Sequence, residues 1–379
     1  MESTTTIQKE RLFSLDLFRG LTVAGMILVN NQTGEKVYEQ LGHSQWNGCT
    51  ITDMIFPFFL YIIGVSIYFS ISTKKGNDHK QIILDALVRS IKIIGLSLFL
   101  FLFPKVFIAP IDAFETVRIQ GILFRIALVY FICTVLFLKM ELSNIAKLGI
   151  AFLVLYWLLL MLIPVPGVGY SNLDMETNLV AWLDRLVITP AHLLHKTWDP
   201  QGLLGTIPAC ATTIMGIITG YLLKTKKFNN GEKVAWVFTF GTVSVLAGLV
   251  WSINFPLNKA LWSSSFVLYT GGIASILMAL CYWTVDVNVY RFGTKPFVAF
   301  GKNAIVIYFL SELLPRVMNL IKFEYNGNGY TSRSFITREL ITPLFSSPYS
   351  ISVANGVFYV LIFMALAWWM YKKNIFIKV

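Results

Sequence analysis

The chain has 379 residues, of which 56% are hydrophobic and only 13% charged, with a net charge of +11 and a mean hydropathy of +0.66. Soluble domains carry about 25% charged residues, so this composition excludes one. The absence of short alternating segments excludes an outer-membrane barrel. The class left is an all-α polytopic membrane protein, read as one domain over residues 1–379. The positive balance reflects Lys and Arg gathered in loops on one side of a bilayer; no nucleic-acid-binding module is visible.

The N-terminal stretch MESTTTIQKERLF has no apolar core followed by a cleavage site. It is expected not to be a signal peptide, with the first apolar run serving as an uncleaved anchor. About ten membrane helices are expected, at 15–31, 53–73, 83–103, 119–138, 147–164, 203–223, 234–252, 263–283, 296–314 and 350–371. Lys9, Arg11, Lys74, Lys75, Lys80, Lys139, Lys147, Lys224, Lys226, Lys227, Lys233, Arg291, Lys295, Lys372, Lys373 and Lys378 then share one side, which predicts both termini in the cytoplasm. The longer loops, 32–52, 165–202 and 315–349, fall on the outer side.

Ionisable groups inside apolar runs are costly and call for a reason. Asp16 and Arg19, three apart on the first helix, share a face; a structural ion pair and an anion site are both open. Asn30 and Asn31 end that helix, as caps or as donors to a developing oxyanion. The loop carries His43, and imidazole ionises close to neutrality. Trp46 and Asn47 follow, an indole and a carboxamide within four residues of His43. Asp53 opens the second helix in TITDM, as its cap or as the group that orients His43. Arg118 and Arg125 flank QGILFR, two turns apart, and Lys302 lies in FGKNAIVIY. Each is either structural or a candidate anion-binding residue. Asp199 leads DPQGLLGTIPA into the sixth helix.

Metal chemistry finds little support. His192 and His195 have a helical ligand spacing but no acidic or thiol partner in the pattern, so no metal is expected. Cys49, Cys133, Cys210 and Cys281 show no CxxC spacing and read as ordinary thiols. Walker A, GxSxG, HExxH and Rossmann fingerprints are absent from the sequence.

The series SLDLFRG (14–20), VN (29–30), HSQWNG (43–48), TDMIFPFFLYIIG (52–64), VRIQGILFRIALVYF (117–131), LIPVPG (162–167), DPQGLLGTI (199–207), NKALWSSSFV (258–267) and GKNAIVIY (301–308) resembles the heparan-α-glucosaminide N-acetyltransferase family. It includes bacterial relatives, within the wider group of transmembrane acyltransferases. The resemblance implies a multi-pass enzyme that moves an acetyl group from cytoplasmic acetyl-CoA to the amine of a glucosamine-type sugar across the bilayer. It implies His43 as catalytic histidine, as general base or acyl carrier, with Asn30 and Asp53 beside it. Arg19, Arg118, Arg125 and Lys302 are then candidates for the anionic end of acetyl-CoA, and Trp46, Asn47, Asp199 and Asn258 for the acceptor. The loop between Asn30 and His43 departs from the animal enzymes, and their luminal N-terminal domain is expected to be missing. The expected setting is a bacterial inner membrane, with the lipid bilayer, acetyl-CoA and an amino-sugar or glycan acceptor as partners and a homodimer as a candidate assembly. The rival readings are a transporter of a small polar solute and an O-acyltransferase acting on an envelope glycan.

Overall fold

The computed structural model describes residues 12–33, 36–76 and 79–377; Lys9, Arg11 and Lys378, used above for orientation, lie outside them. All ten expected runs are helical. They correspond to α1 (Phe13–Asn30), α2 (Ile51–Ile71), α3 (His79–Leu102), α6 (Ile122–Lys139), α7 (Leu142–Leu162), α9 (Thr206–Lys224), α10 (Asn230–Ser252), α11 (Ser264–Cys281), the pair α12 (Lys295–Lys302) and α13 (Ala304–Leu320), and α15 (Pro348–Lys372). Short helices α4 (Lys105–Ile108), α5 (Pro110–Glu115), α8 (Leu179–Val187) and α14 (Ser332–Phe335) fill loops. Among the described residues, eight helices are individually long and apolar enough to cross a bilayer, or nine if α12 and α13 count as one span. The protein is therefore an integral membrane protein.

Two runs differ from simple expectation. The stretch 296–314 is broken at Asn303, where α12 and α13 meet at 86°. The Asn303 side chain is turned to the C-terminal strand of chain, donating to the Ile375 carbonyl (2.9 Å) and accepting from the Ile377 N–H (3.0 Å). α3 has 24 residues, about 36 Å at 1.5 Å per residue, but its stretch 85–92 carries Asp85, Arg89 and Lys92. The loop 315–349 holds structure the apolar pattern did not announce. β1 (Lys322–Tyr325) and β2 (Asn328–Thr331) pair antiparallel with Tyr325 opposite Asn328. The two-residue turn is Asn326-Gly327, both at positive φ (50° and 76°), as a tight hairpin turn requires.

Burial orders the bundle. Of the hydrophobic window of α9, 72% is buried, against 22% for α10, so α9 is central and α10 faces lipid. Lipid tails are as apolar as side chains, so close backbone approach rather than the hydrophobic effect holds such helices together. α2 and α9 meet this way: a Cβ on Gly64 would lie 1.9 Å from the Thr213 carbonyl oxygen, and one on Gly216 2.0 Å from that of Tyr61. α1 and α12 repeat the device, with Gly301 against the Asp16 carbonyl (2.0 Å). Overpacking a core typically costs about 1–3 kcal/mol. Gly64→Leu is expected to lower the thermal midpoint of the detergent-solubilised protein markedly, while Gly95→Leu, in open space on α3, leaves it near wild type; equal midpoints for the two would contradict this packing.

Candidate active site

Thr50 starts α2 as its N-cap, in extended conformation, and Asp53 occupies the third helical position of a capping box. The Asp53 N–H donates to Thr50 Oγ1 (3.3 Å), and Asp53 Oδ2 accepts from the N–H groups of Thr50 (3.1 Å) and Ser44 (3.0 Å). One carboxylate oxygen thus closes the helix end and pins the loop. The other, Oδ1, lies 2.8 Å from His43 Nδ1. Capping and orienting, alternatives in the sequence, are both done by this one side chain. Asp53 is fully buried, whereas the His43 side chain is 57% exposed, so the ring is held from below and open above.

A third group joins them. Lys259 Nζ lies 3.0 Å from His43 Nδ1 and 3.3 Å from Asp53 Oδ1. It is brought there by the turn 257–263 between α10 and α11. Asn258 Oδ1 accepts from the Leu261 N–H (2.8 Å), and the Ser263 N–H donates to the Asn258 carbonyl (3.0 Å). That turn docks on the His43 loop: the Gly48 N–H donates to the Leu257 carbonyl (2.8 Å) and Asn258 Nδ2 to Asn47 Oδ1 (3.2 Å). Burial draws the Lys259 ammonium below the usual lysine range, against the pull of the neighbouring Asp53. The Cys49 thiol beside them is pushed up to about 12, by burial first and then by Asp53. Trp46 closes one side, donating from Nε1 to the Leu173 carbonyl (2.9 Å) and meeting Trp198 edge-on at 5.4 Å. Trp198 in turn stacks on His195 (4.5 Å).

Other candidates lie elsewhere. Asn30 donates from Nδ2 to Glu312 (2.8 Å) and lines a cavity of about 300 Å³ with Arg118, Tyr308 and Arg316. Arg118 is paired in bidentate fashion with buried Asp199 (2.9 and 2.7 Å) and also reaches Gln201. Arg125, fully buried, donates to the Gly202 carbonyl (2.6 Å) and lies over the Trp262 ring (5.2 Å). His192 Nδ1 faces the Val117 carbonyl (2.7 Å), so the two spaced histidines have separate partners.

At the opposite end of the bundle, Arg19 and Lys302 do come together. They line a second cavity, about 560 Å³, with Arg89, Ser66, Ser70 and Asn303. Arg19 bonds Asp16 (3.2 Å), the Gly301 carbonyl (3.2 Å) and Ser66 Oγ (2.7 Å). Lys302 sits 4.1 Å over the Tyr371 ring and Arg89 4.9 Å over that of Tyr130. His43 lines neither of these two cavities.

The family model for "Heparan-alpha-glucosaminide N-acetyltransferase, catalytic" matches residues 11–253. The chain belongs to this family. Relatives include heparan-alpha-glucosaminide N-acetyltransferase of Homo sapiens, 27% identical over 97% of this chain and 60% of its own length. That of Mus musculus is 30% identical over 80% of this chain and 54% of its own length. The chain thus spans somewhat over half the length of these relatives.

Membership covers the His43 loop, Asp53 and the Arg118–Asp199 pair; Lys259 and Lys302 lie beyond the matched stretch. Two residues of the geometry were missed by sequence reasoning. Lys259 lies within NKALW, a single cation between two apolar runs. Arg89 was hidden among the charges of α3. The Arg118–Asp199 pair makes a separate prediction, because stripping one partner from a buried ion pair costs about 3–5 kcal/mol. Arg118→Ala is expected to destabilise strongly in thermal melts, with Arg118→Ala/Asp199→Ala recovering much of the loss; additive losses in the double variant would contradict the pairing.

Proposed function

We propose that the protein is an acetyl-CoA-dependent acetyltransferase that acylates the amine of a glucosamine-type sugar, with donor and acceptor entering from opposite ends of the bundle. The observation that carries this reading is the His43–Asp53–Lys259 cluster: an exposed imidazole whose Nδ1 is engaged by a buried carboxylate, leaving Nε2 to meet substrate. That is the arrangement of an oriented general base. Acetyl-CoA supplies an activated thioester. Nε2 of His43 takes the proton of the attacking amine as the amide C–N bond forms; the thioester C–S bond breaks, and the leaving coenzyme A thiolate receives that proton back from His43 and departs as the thiol. Asn30, engaged with Glu312 in the cavity that His43 does not line, is not placed to stabilise the thioester oxygen in this step.

The cavity at the far end suits the nucleotide end of the donor. Arg19, Arg89 and Lys302 bring three cations to it, and α13 begins there, where helical N–H groups favour anions. The two cavities also share walls. Ile93 and Ser97 on α3, Ile126 and Ile122 on α6, and Ala304 and Tyr308 on α13 pair a residue of one cavity with a residue of the other, one helical turn on. A pantetheine arm reaching from one cavity to the other would pass between these side chains. A bacterial inner membrane, with both termini in the cytoplasm and His43 outside, completes the reading.

His43→Ala is expected to lower acetyl transfer from acetyl-CoA to glucosamine by about 10²–10⁴ in purified protein; near-normal turnover would sink the assignment. Arg89→Ala and Lys302→Ala are each expected to raise the KM for acetyl-CoA about tenfold, one charge-assisted contact's worth, and to weaken thermal stabilisation by coenzyme A with little change in kcat. Unchanged KM and stabilisation would remove the nucleotide from this cavity.

A further inference from the structure

We propose that Lys259 is a positioning residue: by tying its ammonium to Asp53 beside the ring, it keeps His43 a neutral imidazole with Nε2 bare. The inference rests on His43 acting as the base. Nδ1 of His43 has two neighbours of opposite character, Asp53 Oδ1 at 2.8 Å and Lys259 Nζ at 3.0 Å. Nδ1 can donate to the carboxylate or accept from the ammonium, not both; with its hydrogen on the shorter contact, to Oδ1, the ammonium directs one of its own to Oδ1, 3.3 Å away.

Charge then decides what the ring does next. Oδ2 is occupied by the amides of Ser44 and Thr50, so Oδ1 serves ring and ammonium together. Asp53 and Lys259 sum to zero. Protonating Nε2 would place an imidazolium against the ammonium. Without that ammonium, the same carboxylate would face the ring alone and favour the imidazolium, which has no lone pair with which to take a proton. Among the described residues, the titratable groups bonded to His43 are Asp53 from α2 and Lys259 from the 257–263 turn, and Cys49 lies beside those two. The Cys49 thiol, held high by burial, stays neutral. Lys259 is fixed to this task by its backbone: the Trp262 N–H donates to the Lys259 carbonyl (3.1 Å), within the turn that docks on Asn47 and Gly48.

The test reads the ring directly. Diethyl pyrocarbonate acylates neutral imidazole, so the pH dependence of His43 modification, followed by mass spectrometry on the intact solubilised protein, reports its neutral fraction whether or not the enzyme turns over. In Lys259→Met the midpoint is expected to rise by about one pH unit, the scale of one screened, half-exposed charge contact, and the acid limb of kcat/KM to rise with it. Lys259→Arg keeps both where they were. A midpoint unchanged in a cooperatively melting Lys259→Met overturns the proposal. If that variant fails to fold, Lys259→Gln, which keeps a donor toward Asp53 but no charge, takes its place: a raised midpoint supports the proposal and an unchanged one overturns it. Retained activity in His43→Ala would instead sink the base assignment and leave the midpoint shift standing.

Discussion

The His43 ring, the start of α2, the Ser44 backbone and the Lys259 ammonium all converge on the Asp53 carboxylate. It is buried, sits in the first turn of α2, and divides its two oxygens between different duties. Oδ2 accepts from the amides of Thr50 and Ser44, which ends the helix and anchors the loop. Oδ1 meets the imidazole and the ammonium. A buried carboxylate is tolerable only when its lone pairs are filled, and here the filling groups are the site. Fold and site geometry are therefore coupled through one side chain: the contacts that let the charge be buried are the contacts that orient the His43 ring.

The same economy appears at the other end. The break between α12 and α13 frees a helix start within a largely apolar bundle, and the Asn303 side chain ties that break to the C-terminal backbone. The broken helix carries Lys302 to the cavity where Arg19 and Arg89 also stand. Non-helical backbone inside a membrane bundle is tolerated where it lines a cavity or is packed within protein, and here the broken helix and the cations line one cavity. Close approach of α1 and α12 at Gly301 holds the geometry.

Arg118 and Arg125 show why charge inside an apolar run does not by itself reveal a role. Both stood beside Arg19 and Lys302 as candidate anion-binding groups. Arg118 has a bidentate partner in Asp199, and Arg125 a carbonyl and an indole face. Arg19 likewise has a carboxylate partner, Asp16, and Arg118 also lines a cavity; what sets Arg19 apart is that Lys302 and Arg89 stand in the same cavity. The four are alike in the sequence and differ only in what lies across from them. The same holds for Asn30, legible as a helix-ending carboxamide but joined to Glu312 across 282 positions.

The class, the ten helical runs and the prominence of the His43–Asp53 stretch were legible in the order of residues alone. Those depend on local quantities: apolar run length, loop charge, and a capping pattern only ten residues from the imidazole. The Asn326-Gly327 hairpin was equally local, and its turn signal was there to be read. Packing in three dimensions settled the rest. Lys259 reaches His43 across 216 positions, and Arg89 joins Arg19 and Lys302 from three separate helices. Which charges meet depends on how helices pack through a few glycines and one docked turn, and no periodicity within a single helix encodes its partner.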